Sequence, residues 1–596
     1  MRRWNGWGDD AETVPLPHGA DAFLARVVGR AEPPMEATLA DVVASVADAT
    51  ARAAGGSPLP PHPLVSTDPE DRLRHARGQS LADWVALRSG RVGRVPDGVA
   101  RPGSAADVRD LLRWAAGVGA RVVPYGGGTS VVGGVTVPPR PDPVVVVSLA
   151  RLRGLVALDR SSLLATFLAG TTGPEVEAAL AASGLRLGHE PQSFELSSVG
   201  GWVATRSAGQ RSTGIGKIDE LVAGLEVATV DGRWRLPALP ASAAGPELRR
   251  LLVGSEGRFG VITEATLRVR PLPMHEDGVV VLMPGWEAGV TACRELVQAG
   301  VAVEVLRLSD PTETSFAQTL IHMSPVAARV SGLLFRTKRF REGCALLLGW
   351  TGTPAEVRSA RLAAAEIWRA HGGLAVGRGG WRRWRGDRFH HPYLRDTLLG
   401  QGWGVDTFET AATWSDLPAL HASVRAALDE AGRSSGLGVA VLCHLSHAYA
   451  DGASHYFTFF WPLRAGHAVA DWRALKEAAT RGLLAAGGTL THHHGVGTMH
   501  APYLADEIGP HGLHVLRAVA AASDPAGTLN PGGLIGGRED RGPGTGNRGL
   551  EDRGQGTGDW GQGDWTQDES GLQSAEGRAD CPPSPVPRPP GGREGD

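Results

Sequence analysis

Two short stretches carry most of the chemistry this sequence could perform. Pro124-Tyr125-Gly126-Gly127-Gly128-Thr129-Ser130 sets three glycines in a row before two hydroxyl side chains. Without Cβ atoms, such a loop takes positive φ and turns its N–H groups onto an anion, so it reads evenly as a phosphate cradle or a plain turn. A dinucleotide fingerprint would run Gly-x-Gly-x-x-Gly into a helix, but Val131-Val132-Gly133-Gly134-Val135 follows. No Gly-Lys-Ser/Thr closes the loop, so it is not a Walker A motif. The second stretch is His492-His493-His494. Imidazole titrates near neutral pH and suits proton transfer, although three histidines alone read first as packed or surface residues. A metal is disfavoured: on a strand the side chains alternate between faces, and no nearby carboxylate or cysteine completes a ligand set.

Single residues add to these. Arg395, in Pro392-Tyr393-Leu394-Arg395-Asp396, could grip a phosphate or carboxylate with two parallel hydrogen bonds, or simply pair with Asp396 at the surface. Tyr456, in His455-Tyr456-Phe457-Thr458-Phe459, alternates as a strand would and could carry a phenol into a pocket or into the core. A phenol titrating near ~10 needs a shifted pKa or a cation such as Arg395 beside it to act as a base. His444 and His447 are pocket candidates without a role.

The elements that must position these groups follow from periodicity. Residues 35–53 carry a helical pattern, and Ala105 to Ala115 reads as an amphipathic helix. Arg121 to Pro124 reads as a short strand ending at its proline, Val144 to Leu149 and Leu163 to Ala169 as strands, and Gly173 to Ser183 as a helix. Val261 to Val269 closes this mixed region as a strand. A second α+β region follows, with a helix over Ala355 to His371 and a strand over Tyr456 to Trp461. Beyond about residue 537 the chain is Gly, Pro, Arg, Asp and Gln, with too little to bury to offset the entropy of ordering.

The bulk numbers are those of an ordinary globular chain: 596 residues, 42% hydrophobic, 21% charged, net charge −3. That length suggests two or three packed domains, and that charge excludes a nucleic-acid footprint. Of the 60 basic residues only three are lysine, a coding bias more than an arginine cluster. Cys293, Cys344, Cys443 and Cys581 are scattered, as in a reduced intracellular protein. The N-terminus lacks a secretory apolar core, and no run reaches the ~18 to 20 apolar residues that span a bilayer. A cytoplasmic protein is expected.

Gly188-His189-Glu190-Pro191-Gln192-Ser193, Ser197 to Gly209 (with Val199-Gly200-Gly201-Trp202-Val203) and Gly254 to Thr263 supply further backbone-rich surfaces. With the first glycine loop they suit a ligand with a pyrophosphate, a ribityl chain and a flat ring. This arrangement resembles the FAD domain of the vanillyl-alcohol-oxidase (PCMH-type) flavoprotein family. Within it, Trp4-Asn5-Gly6-Trp7-Gly8 and His492-His493-His494-Gly495-Val496-Gly497 make residues 1–536 similar to the alkyldihydroxyacetone-phosphate synthases.

The resemblance implies an α+β fold. Residues 1–93 would be a helical N-terminal segment, 94–273 a PCMH-type FAD-binding domain of two α/β subdomains, and 274–490 an α+β cap holding the substrate. Residues 491–536 would return to the FAD site, and 537–596 form a disordered tail. FAD would touch Pro124, Tyr125, Gly126, Gly127, Gly128, Thr129 and Ser130; Gln192, Ser193, Phe194, Glu195, Leu196, Ser197 and Ser198; Thr205, Arg206, Ser207 and Ala208; and Glu256, Gly257, Arg258, Phe259, Gly260, Val261 and Ile262. Many relatives tether flavin through a histidine near the first loop; Tyr125 to Ser130 has none, so non-covalent FAD is expected.

The implied reaction exchanges the acyl chain of acyl-dihydroxyacetone-phosphate for a long-chain alcohol. Tyr456, His492, His493 and His494 would be catalytic, with Tyr456 taking a proton, while Arg395 and Arg307 would bind substrate and no metal takes part. Such a lipid-like substrate leaves room for peripheral contact with the inner face of a membrane, and for a homodimer. The alternative is an FAD-linked dehydrogenase or oxidase of a D-2-hydroxy acid, favoured by Asp524-Pro525-Ala526-Gly527-Thr528-Leu529-Asn530-Pro531-Gly532. Those relatives, however, usually carry a glutamate before a single histidine.

Overall fold

The run Val144–Ser148 is buried at every position because it is the inner strand of a four-stranded sheet, covered on both faces. The computed structural model describes residues 2–52, 58–320, 335 and 337–536, which fall in one compact unit, Met1–Arg541. The expected disordered tail over 537–596 lies outside the described residues. In this first sheet Gly98–Ala100 and Arg121–Tyr125 pair in parallel with Val144–Ser148, and Val65–Ser66 adds an antiparallel edge. Pro124 was expected to end its strand, yet it sits inside Arg121–Tyr125. That strand is at the edge of the sheet, where a missing N–H is tolerated. The helix Ala105–Gly117 starts with a reciprocal Ser104–Asp107 capping box and buries Val108, Leu111, Leu112 and Ala115.

A second, five-stranded antiparallel sheet runs Leu155–Asp159, Leu164–Leu168, Val261–Arg268, Val222–Ala228, Arg233–Leu236. The glycine-bearing helix Val199–Ala204 packs on it so closely that a Cβ on Gly200 would lie 2.8 Å from that of Ala169.

The third sheet is seven-stranded and antiparallel, in the order Leu374–Gly377, His275–Met283, Cys344–Gly352, Val305–Ser309, Ala440–Ala448, Gly452–Pro462, Trp403–Thr413. Its register decides the site. Tyr456 lies opposite Glu409 on one side and His444 on the other, and Ser446 lies between Arg307 and Ser454. Directly paired residues project from one face, so Arg307, His444, Tyr456 and Glu409 share it. The alternate residues Cys443, Leu445, Phe457 and Phe408 enter the core, where the sheet meets the helices Trp286–Gln298 and Leu417–Ser435. The α+β class is as expected, including the N-terminal helices Ala20–Val28, Leu39–Arg52, Pro69–Arg74 and Leu81–Arg88. No helix among the described residues is long and apolar enough to cross a membrane. Cys293, Cys344 and Cys443 are buried and unpaired, and Cys581 is outside the described residues.

Candidate functional site

The glycine loop leaves its strand at Tyr125 and lies against two of the other expected segments. A Cβ on Gly127 would fall 2.0 Å from the Leu196 carbonyl oxygen, one on Gly126 2.5 Å from Ser198 Oγ, and one on Gly257 2.8 Å from Pro124 Cγ. Gly128 has φ +66°, the left-handed region that glycine enters without strain. Ser198 caps the helix Val199–Ala204, so residues 192–198 are fixed by the helix they introduce. Among the described residues, no protein acceptor takes the amides of Gly126, Gly127, Gly128 or Thr129. Unclaimed N–H groups in a cradle without Cβ atoms are what a pyrophosphate requires. Pro124 to Ser130, Gln192 to Ser198 and Glu256 to Ile262 thus come together. Thr205, which caps the C-terminus of the same helix, lies 3.4 Å from a Cβ built on Gly495. Arg206 turns outward to Asp219 (3.0 Å), Ser207 Oγ contacts His189 Nε2 (2.7 Å), and Arg258 donates to the Leu529 carbonyl.

His492, His493 and His494 are not on a strand. They form an irregular turn after the helix Ala468–Ala485. Two buried carboxylates impose the shape of this turn. Glu409 Oε1 accepts from the amides of His492 (3.0 Å), His493 (2.7 Å) and His494 (2.7 Å) and from Thr491 Oγ1 (2.8 Å). Its Oε2 meets His494 Nδ1 at 2.9 Å. Burial opposes the charge on Glu409, but the imidazoles of His494 and His493 and the amides outweigh it and hold the carboxyl well below its ordinary range. Glu256 grips the other end, accepting from the amides of Val496 and Gly497 (2.7 Å). Here burial wins over the two amides and pushes the carboxyl up to about 7. Gly497, at φ +56°, passes so close to Val132 that a Cβ would sit 2.1 Å from its carbonyl oxygen.

Donor atoms of His447, His492 and His493, and of Glu409, His493 and His494, gather within 4.8 Å. The carboxylate that the flanking sequence lacks therefore arrives from a distant strand, which corrects the expectation that none is near. Its oxygens are already engaged by the amides and by His494, Tyr449 OH meets His492 Nε2 at 2.7 Å, and Ser212 Oγ meets His447 Nδ1 at 2.5 Å. His492 Nδ1 and His493 Nδ1 meet at 2.9 Å, so the group is a hydrogen-bonded cluster of imidazoles. Burial, followed by the Lys217 charge, keeps His492 well below its ordinary pKa and His447 at about 3.

Tyr456 stands where its alternation placed it, with its ring 4.9 Å from His444 and 6.0 and 5.8 Å from His493 and His494. Its hydroxyl donates to Thr407 Oγ1 at 3.0 Å. Burial pushes the phenol up to about 12, against the Thr407 hydrogen bond and a weaker pull from Arg307, so a base of lowered pKa is not what the structure holds. Arg307 Nη2 donates to Glu313 Oε1 (2.8 Å), which also meets His444 Nδ1 (3.0 Å), so this arginine is engaged. Arg395 does not pair with Asp396. That carboxylate accepts from the Trp7 amide (2.6 Å) and Trp84 Nε1 (3.1 Å). Arg395 spends Nη1 on the Gln79 carbonyl (2.9 Å), and its Nη2 is buried without a partner among the described residues.

The comparisons with known proteins agree with this geometry. Residues 96–236 match the model of an FAD binding domain, and residues 272–534 that of the C-terminal domain of FAD linked oxidases. The chain is 30% identical over 491 residues to the alkyldihydroxyacetonephosphate synthase of Trypanosoma brucei brucei, covering 79% of this chain and 78% of that one. A solved alkyldihydroxyacetonephosphate synthase superposes with a TM-score of 0.75 at 24% identity, over 89% of this chain and 98% of the other. A probable mitochondrial D-lactate dehydrogenase of Danio rerio is more distant, at 25% over 79% of this chain and 89% of that one. FAD is the cofactor that the cradle and the family models jointly require.

Proposed function

We propose that this chain, which belongs to the alkyldihydroxyacetonephosphate synthase family, is an FAD-dependent enzyme exchanging the acyl chain of an acyl-dihydroxyacetone-phosphate for a long-chain alcohol, with release of a fatty acid. The observation that carries the reading is the Glu409-held histidine turn facing Tyr456. Replacing an acyloxy by an alkoxy group beside a ketone involves no net redox change, but protons must be taken up and returned in one dry site. His494 gives Nδ1 to Glu409, which leaves Nε2 as acceptor. Tyr456, protonated at neutral pH, acts as the neighbouring donor instead of the first base. His492 and His493 remain neutral and relay.

Arg395 would hold the phosphate through its free Nη2, and Arg307 would support His444 through Glu313. Bound FAD supplies an electrophilic ring held by Pro124 to Ser130, Gln192 to Ser198, Thr205 to Ala208 and Glu256 to Ile262. It requires no covalent link, since Tyr125 to Ser130 has no histidine. On this reading residues 94–273 hold FAD, 274–490 hold substrate, and 491–536 return to the flavin. A water-insoluble alcohol also fits peripheral contact with the cytoplasmic face of a membrane, with a homodimer as the assembly. The D-2-hydroxy-acid alternative is not favoured, because its relatives are the more distant ones. The test supplies FAD-loaded protein with acyl-dihydroxyacetone-phosphate and labelled hexadecanol, and separately with D-lactate under anaerobic conditions. Label should enter the ether product and the flavin should stay yellow. Bleaching by D-lactate without label incorporation would overturn the reading.

A further inference from the structure

Lysine is almost absent from this chain: of its 60 basic residues only Lys217, Lys338 and Lys476 are not arginine. Lys338 is exposed. Lys476 is buried with its ammonium engaged by Asp406 Oδ2 (3.1 Å) and the Thr407 carbonyl (2.6 Å). Lys217 differs from both. It introduces the short helix Ile218–Leu221 and donates from Nζ to the carbonyl of His492 at 2.5 Å. Among the described residues no carboxylate lies within ion-pair distance of it, and the nearby Asp219 is paired with Arg206.

We propose that Lys217 is a positioning residue of the exchange site: its ammonium clamps the histidine turn by the His492 carbonyl and sets a positive charge beside the imidazoles that line the turn. This rests on the function proposed above. Charges face Lys217 from every packed element: Asp219 and Glu220 on its own helix, Arg206 from the preceding turn, and Glu409 from the strand Trp403–Thr413. The imidazoles of His189, His447, His492 and His493 complete the surroundings, and all four are pushed down by burial and by the Lys217 charge. Burial lowers Lys217 itself to about 8 against Asp219, so it still carries its proton at pH 7.

The scarcity of lysine makes the test direct. Protein labelled with ¹³C at lysine Cε should show three ε-signals, assigned with Lys338→Arg and Lys217→Arg. The Lys217 signal should titrate near pH 8. In the exchange assay, loss of rate at low pH reports imidazole protonation. Lys217→Met removes the charge, so the histidine pKa values rise and the acidic limb should move up by about one pH unit, with flavin content retained. Lys217→Arg keeps the charge and should leave that limb in place. The proposal is overturned if the Lys217 signal shows no titration near pH 8, or if the limbs of the Met variant and wild type coincide. Should wild-type protein show no exchange at all, the function fails while the lysine titration still reports the local electrostatics.

Discussion

Glu409→Gln is the sharpest test of how the histidine turn is built. The side chain is 1% exposed, and its Oε1 gathers three amides and a hydroxyl while Oε2 faces His494. Gln keeps the shape and an acceptor oxygen but loses the charge. Hydrogen bonds to a charged group contribute ~1.5 to 3 kcal/mol against ~0.5 to 1.5 for neutral ones, so four weakened bonds give a loss of roughly 4 kcal/mol. The new amide also presents N–H to His494 Nδ1, which must then give up its own proton to accept, so Nε2 becomes the protonated nitrogen and is lost as acceptor. Exchange should fall by about 10² to 10⁴, the usual contribution of a positioned acid–base group, with FAD still bound. The carboxyl of Glu409 is held below its ordinary value, so its contribution is complete above the unfolded pKa near ~4.3 and disappears only as pH falls through the lower folded value. The wild-type advantage in denaturant midpoint should therefore be constant from pH 6 to 8. A variant with FAD bound and exchange within threefold of wild type would refute the argument.

Three further outcomes are expected. Gly127→Val forces a side chain into the Leu196 carbonyl, so the protein should purify without the flavin absorbance that wild type shows, and acid precipitation of wild type should release all of its FAD. Arg395→Lys loses the free Nη2, and should weaken phosphate-bearing substrate by ~1.5 to 3 kcal/mol, roughly ten- to a hundredfold in KM, with flavin content unchanged. Glu256 has its carboxyl raised from 4.5 to about 7, so its contribution is complete below 4.5 and is lost as pH rises through 7. Thermal stability of wild type should thus fall across pH 4.5 to 7 by up to roughly 3 kcal/mol more than that of Glu256→Gln, and parallel curves would contradict it.

The cradle was legible because glycine runs encode their backbone demands locally: Gly126, Gly127 and Gly128 announce a loop with exposed amides wherever they lie. Tyr456 was legible through alternation, which survives in any half-buried strand. Glu409 was not legible as the holder of the histidines, because its partners lie 82 to 85 residues away and meet it only through sheet register. The turn at His492 to His494 was not legible for the same reason, since it is shaped by that carboxylate and not by local propensity. The surface pairing of Arg395 with Asp396 failed on helix geometry: adjacent residues on His391–Gly400 point about 100° apart, one towards Gln79 and the other towards Trp7 and Trp84.

The grip of two carboxylates on one turn also bears on the order of assembly. Glu409 belongs to a sheet complete by Pro462, and Glu256 lies just before a strand complete by Arg268, yet both depend on amides that emerge only with residues 492–497. Until those residues leave the ribosome, Glu409 is a carboxylate destined for the interior with nothing to satisfy it. A charge in that condition keeps its surroundings hydrated. The turn therefore joins two sheets completed earlier in the chain, and still later residues hold it, since the Leu534 amide donates to the Gly497 carbonyl (3.1 Å) and Asn530 Nδ2 to the Glu256 carbonyl (2.7 Å). A chain stopped before Thr491 would leave Glu409 and Glu256 without these amides, and would also lack Val496, Leu504, Leu529 and Ile535 from the core beneath the first two sheets.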